Sequence, residues 1–145
     1  MSTRKLVVTG GYGFVGTHLL IAAAQGGYDL VVLDDLSICD GRYLQQIPHR
    51  LVKGDIRDES VVAQALEGAE AVVHLAAHTS VVDSQQNPAH DCDVNVRGTL
   101  NVLQGCVDAG VQRFVLASSN ASLGEQSPPV DEERVARPLS SCRNP

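Results

Sequence analysis

Glycines at 10, 11, 13 and 16, followed by an aspartate at 34, are the residues here whose types and spacing first suggest chemistry. Gly11, Gly13 and Gly16 read as G-x-G-x-x-G, and Gly10, Gly13 and Gly16 as G-x-x-G-x-x-G. Such spacing suits a tight turn, then a position without Cβ where backbone meets a pyrophosphate, then a small residue where helix packs on strand. The first amides of the following helix offer N–H groups and partial positive charge to phosphates. A glycine turn between strand and helix can also be only a turn, so its flanks decide. Leu6 to Val8 is an apolar run that predicts a buried strand, and Thr17 to Gln25 predicts a helix stopped at Gly26-Gly27. Asp34 ends a second predicted strand, Tyr28 to Asp34, about twenty residues beyond the turn. A carboxylate there can accept both hydroxyls of an adenosine ribose and repel a 2′-phosphate, which favours NAD over NADP; the plain alternative is a cap or loop acid.

Elements further along must place the rest of such a site. Leu51 to Asp55 predicts a short third strand, and Asp55-Ile56 at its end suit an adenine amine and an apolar ring wall. A turn aspartate beside a core isoleucine fits the sequence equally well. Asp58 predicts the cap of a helix from Glu59 to Leu66, closed by Gly68. Ala69 to Leu75 predicts the fourth strand, ending in Ala76-Ala77, where small residues admit a flat ring or simply pack tightly. His74 and His78 flank that point and read as packed or solvated residues rather than catalysts.

Asn87-Pro88 opens a long predicted helix, Ala89 to Ala109. Cys92, Val96, Leu100, Leu103 and Val107 form one apolar stripe expected to face the sheet; Val94, Gly98 and Val102 form a second expected to lack a partner. Arg113 to Ser119 predicts the fifth strand, delivering Ser118 and Ser119 to the sheet's C-terminal edge as terminators or as hydroxyls at a cleft. Strands alternating with helices predict an α/β fold of the Rossmann type, a doubly wound parallel sheet in the order 3-2-1-4-5. Residues 1–124 form the expected dinucleotide-binding domain and 125–145 an irregular tail.

Composition agrees with this architecture. Of the 145 residues, 43% are hydrophobic but only 3% aromatic, so the core must be Val, Leu, Ala and Ile, as in sheets covered on both faces. A net charge of −6 without basic clusters argues against nucleic acid and anionic membranes. No run approaches a membrane span, and Met-Ser-Thr-Arg-Lys runs directly into the first strand, with no signal peptide expected. Cys39, Cys92, Cys106 and Cys142 are scattered, which predicts free thiols in a cytoplasmic protein and no metal site.

Together, Thr9-Gly-Gly-Tyr-Gly-Phe-Val-Gly16, Asp34-Asp35, Gly54-Asp-Ile56, His74-Leu-Ala-Ala77, Asn95-Val-Arg-Gly-Thr99 and Ser118-Ser119 with Gly124 resemble the extended short-chain dehydrogenase/reductases. Within these the match is to the NAD-dependent nucleotide-sugar epimerases and dehydratases. The resemblance implies that Gly10, Gly13 and Gly16 hold a pyrophosphate while Tyr12, Phe14 and Val15 close over it. It implies Asp34, with Asp35 beside it, at the ribose, Asp55 and Ile56 at the adenine, Ala76 and Ala77 toward the nicotinamide, and Asn95 as a brace. Ser119 matches the family's catalytic Ser/Thr, and the family commonly forms homodimers through its long helix.

Departures from that pattern are specific. Leu123 stands where the family has a tyrosine, and after Pro138-Leu-Ser140 the general-base tyrosine position holds Cys142, with no lysine after it in this sequence. Nothing nearby lowers a thiol's pKa to make Cys142 a base. The expectation is an NAD-binding domain that is not competent alone and meets a nucleotide sugar only when a C-terminal half is supplied. The alternatives are a non-catalytic NAD-sensing or interaction module, or a small oxidoreductase using another base.

Overall fold

The computed structural model describes residues 4–128, 130–135 and 137. Runs of Val and Leu bounded by turn residues form the strands, as the pattern predicts: β1 Lys5–Thr9, β2 Asp29–Asp34, β3 Arg50–Lys53, β4 Ala71–His74 and β5 Arg113–Leu116. All four pairings are parallel and the order is 3-2-1-4-5. Because side chains alternate along a strand, β1 sends Leu6 and Val8 to one face and Val7 to the other. Helix α1 (Phe14–Gln25) covers the Leu6 face with Leu20 and Ala23. Helix α2 (Glu59–Leu66) covers the Val7 face with Val62, Ala65 and Leu66, joined by Val102 and Cys106. Each fully buried Val or Leu contributes about 1.5–3 kcal/mol of hydrophobic stabilisation.

Local sequence sets the helix ends. Gly13, in extended backbone at φ −65° and ψ 173°, is the N-cap of α1, so the helix begins at Phe14, earlier than its apolar pattern suggests. The Asp58 carboxylate accepts from the Ser60 and Val61 amides and caps α2, and Gly68 at φ 66° follows that helix. A helix not anticipated from the sequence, α3 (Val81–Gln86), starts on Ser80, whose hydroxyl accepts from the Asp83 amide.

The single helix expected from Ala89 to Ala109 is three pieces: α4 (Pro88–Cys92), a π-helical segment Asp93–Gly98, and α5 (Thr99–Asp108). Its faces are the reverse of those expected. Val102 is buried, Val94 packs on the core, and Cβ atoms built on Gly98 and Gly105 would meet Ile56 Cδ1 at 2.6 Å and Leu66 Cδ1 at 2.9 Å. Val96, Leu100, Leu103 and Val107 are exposed instead. Close approach to α2 selects the small face of this helix over the more apolar one. The described residues beyond Leu123 contain no helix or strand, and Pro138 to Ser140 and Cys142 lie outside the described residues. No described helix is long and apolar enough to cross a membrane.

Candidate functional site

The glycine turn and the end of β4 meet where strand order reverses. Gly10 adopts φ 65°, its amide donates to Leu33 O, and a Cβ there would lie 2.7 Å from Ala76 N. Gly16 is equally constrained, since its Cβ would meet Gly11 Cα at 2.6 Å. Gly13 differs. Its backbone suits any residue, and a Cβ there would touch only Gly10 O, at 3.3 Å. Helix α1 carries no side-chain cap, so its first amides point out of the turn beside Gly13. Phe14 and Val15, 82% and 62% exposed, form an apolar rim there.

Asp34 closes the turn from β2. Its Oδ2 accepts from the Tyr12 amide at 3.0 Å and its Oδ1 from the Leu36 amide at 2.9 Å. A carboxylate oxygen has room for about two donors, so each retains a site for an incoming hydroxyl. Asp35 is exposed, and its Oδ1 takes the Ser37 amide and hydroxyl. Tyr12 lies in the turn, but its ring is buried against Gly41 and its hydroxyl pairs with His49 Nε2 at 2.9 Å. Burial, then the Asp34 charge, raises its phenol pKa. Its opening onto the turn is therefore main chain rather than ring.

At the end of β3, Arg57 binds Asp55 through Nε and Nη2, the shorter contact 2.6 Å, and reaches Asp93 with Nη1 at 2.9 Å. That guanidinium holds the Asp55 carboxyl below its usual range and is itself raised by the same bonds. Ile56 is only 5% exposed and lies against Gly98, so its side chain packs in the core. Asp55 is at the strand end as expected, but engaged by Arg57, which the sequence reading did not include.

At the end of β4 a chain of hydrogen bonds has a fixed direction. Thr9 Oγ1 accepts from the Leu75 and Ala76 amides, both at 3.2 Å, so its proton goes to His74 Nδ1 at 2.6 Å. His74 Nε2 then donates to Thr99 Oγ1 at 3.0 Å, and Thr99 donates to Asn95 O at 2.7 Å. This network assigns the ring tautomer. With His74 only 2% exposed, desolvation pulls its pKa to about 4. His74 is a packed histidine, as its sequence context suggests. Thr9 and Thr99 were legible only as hydroxyls inside otherwise apolar or glycine-rich stretches.

Ala76 is partly buried and Ala77 exposed. The residue after them is clamped by Asn95, whose Oδ1 accepts from the His78 amide at 2.8 Å and whose Nδ2 donates to His78 O at 3.0 Å. Asn95 thus grips the loop after β4. Ser119 is exposed beyond β5, and its carbonyl accepts from the Ser122 amide and hydroxyl. Burial pushes the Cys106 thiol up to about 11, which makes it inert. Among the described residues, no group of three or more His, Cys, Asp or Glu could hold a metal ion.

Comparison with known proteins agrees with this fold. A putative UDP-glucose 4-epimerase of Methanocaldococcus jannaschii is 35% identical over 138 residues, covering 93% of this chain and 45% of that protein. The UDP-glucose 4-epimerase of Brucella ovis, solved in complex with NAD, superposes with a TM-score of 0.89 at 30% identity, covering 97% of this chain and 44% of that one. DesIV of Streptomyces venezuelae, a dTDP-glucose 4,6-dehydratase solved with NAD and TYD bound, gives 0.88 at 34% identity, covering 97% and 47%. The chain therefore spans less than half the length of these relatives. Residues 6–145 match the NAD dependent epimerase/dehydratase family, and the chain belongs to it.

Proposed function

We propose that this chain is the NAD(H)-binding portion of a nucleotide-sugar epimerase or dehydratase, and that it is not catalytically competent by itself. The observation that carries the reading is Gly13, whose backbone any residue could adopt and whose Cβ would make a single tight contact, with Gly10 O, while otherwise facing out of the turn. A ligand could use the space on that outer side, and the adjoining helix start and Asp34 fit a pyrophosphate and a ribose. The residues present therefore fit the cofactor: Gly13, Phe14 and Val15 amides at the phosphates, Asp34 at the adenosine ribose, the β3 end at the adenine, and the Ala76-Ala77 backbone along the nicotinamide. Bound there, NAD would supply a hydride acceptor. Ser119 would hold a sugar hydroxyl in that reading. Incompetence alone is supported by Leu123 and Cys142 at the positions where the family has tyrosines.

Calorimetric titration with NAD and NADP tests this. The parent should prefer NAD, and Asp34→Ala should weaken NAD by about 1–3 kcal/mol, the loss of charge-assisted bonds to the ribose. Equal affinities for the two cofactors would sink the assignment.

The same reading extends to self-association as a two-fold dimer. It is supported by the outward row Val96, Leu100, Leu103 and Val107, and by β5 at the sheet's edge with Val115 and Leu116 exposed. A groove of about 800 Å³ between α2 and α5 includes Leu100 in its wall and none of the glycine-turn residues. Light scattering over a dilution series should show a dimer that Leu100→Asp with Leu103→Asp converts to monomer. A monomeric parent at high concentration would end the proposal.

A further inference from the structure

Asp91 is a charged residue that the cofactor reading does not use, and it is only 3% exposed. Burying a carboxylate is unfavourable unless donors converge on it. Two do, both on Oδ1: Asn95 Nδ2 at 3.1 Å and His78 Nδ1 at 3.1 Å. His78 Nε2 also lies 3.7 Å from the exposed Asp83 Oδ2, and its ring stands edge-on to His90 at 5.3 Å.

Asn95 can clamp the main chain of His78 in one orientation only. Oδ1 must meet the His78 N–H and Nδ2 the His78 carbonyl; turned over, donor would face donor and acceptor would face acceptor. One Nδ2 hydrogen goes to that carbonyl and the other to Asp91. Asp91 therefore occupies the amide's last free donor, and it also takes the His78 ring. Main chain and side chain of one loop residue are gripped from one buried carboxylate and the amide it orients. That residue follows directly on Ala76-Ala77. Asp91 itself ends its reach from α4, just ahead of the π-helical segment that carries Asn95. Single-turn π segments inside α-helices recur at functional sites.

We propose that Asp91 is a positioning residue for the nicotinamide end of the cofactor site, acting through Asn95 and His78 on the loop that begins at Ala76. This rests on the NAD reading above. It predicts that loss of Asp91 harms only the part of the cofactor beyond the pyrophosphate. ADP-ribose, which lacks the nicotinamide, is the discriminating probe.

The experiment titrates NADH and ADP-ribose against the full chain and against Asp91→Ala and Asp91→Asn, following nicotinamide fluorescence for the first ligand and calorimetry for both. Asp91→Ala should weaken NADH about tenfold, the scale of a lost hydrogen bond to a charged group, and blunt the change in nicotinamide emission while leaving ADP-ribose affinity unchanged. Asp91→Asn, whose carbonyl can still accept from Asn95, should recover part of the NADH affinity. Equal weakening of both ligands would mean a purely structural role and overturn the proposal, as would unchanged NADH binding. Should Asp91→Ala fail to fold, Asp91→Asn carries the same comparison, with selective NADH weakening supporting the proposal and equal or no weakening overturning it. A parent chain that binds neither ligand overturns the NAD reading itself, which is a different outcome from parent binding with no selective loss.

Discussion

Gly13→Val is expected to remove cofactor binding and keep the fold. The Cβ at position 13 would meet only Gly10 O, at 3.3 Å, and the backbone there, φ −65° and ψ 173°, is open to any residue. The branched side chain would instead fill the space outside the turn, which the proposed cofactor reading gives to a pyrophosphate. At the upper end of overpacking costs, about 3 kcal/mol, the loss is about a hundredfold in affinity. Gly10→Ala and Gly16→Ala make the contrast. A Cβ at Gly10 would press on the Leu75 and Ala76 backbone from a left-handed φ of 65°, and one at Gly16 on Gly11. Those two should lower the melting temperature markedly, whereas Gly13→Val, with one contact at 3.3 Å and an unstrained backbone, should melt much closer to the parent. Circular dichroism beside an NAD titration reads both quantities. Unchanged binding in Gly13→Val would place the site elsewhere, and an unfolded Gly13→Val would make this glycine structural.

The second large effect concerns acid. His74 titrates at about 4 in the fold against an ordinary 6.5, because burial disfavours its charged form. The folded pKa is depressed, so the stability linked to neutral His74 is fully present above pH 6.5. It is lost as pH falls from 6.5 through about 4. The gap corresponds to about 3 kcal/mol. Protonation would also put a second hydrogen between Nδ1 and the Thr9 hydroxyl, whose own proton already lies there. Urea melts of the parent and of His74→Leu across this range isolate the contribution, since shared carboxylates cancel in the difference. The parent's advantage should be level above pH 6.5 and shrink below it. A level difference throughout would show that His74 titrates normally.

How much of this was readable beforehand depended on what kind of signal each element carries. Buried parallel strands are apolar runs, so β1, β2 and β4 and the sheet order followed from Val-Val and Leu-Val-Val with glycine punctuation. The glycine turn and the strand end at Asp34 were legible because strand, glycine punctuation and helix each leave a local signal. The faces of the long helix were misread because apolar count favours Val96, Leu100, Leu103 and Val107, whereas close packing favours Gly98, Val102 and Gly105. Helix α3 was missed since six residues from Val81 to Gln86 carry no period to detect. Arg57, Asp91 and the two threonines act through partners distant in sequence, such as Arg57 on Asp93 and Thr9 on His74, and no local pattern reports a tertiary partner.

The chain of bonds from Ala76 N–H through Thr9, His74 and Thr99 to the Asn95 carbonyl also limits which sequences can spell this fold. Every interior link must receive a proton on one side and give one on the other. Only a hydroxyl does both through a single atom in so little volume, so positions 9 and 99 share a two-letter alphabet, serine and threonine. A valine at either, nearly the same shape as threonine, would break the relay's grammar, taking the acceptor from the link behind it and a donor from the link ahead. Positions 9, 74 and 99 are therefore one word rather than three letters, and, beyond the exchange of threonine for serine, drift at any of them is admissible only as a joint rewriting of all three.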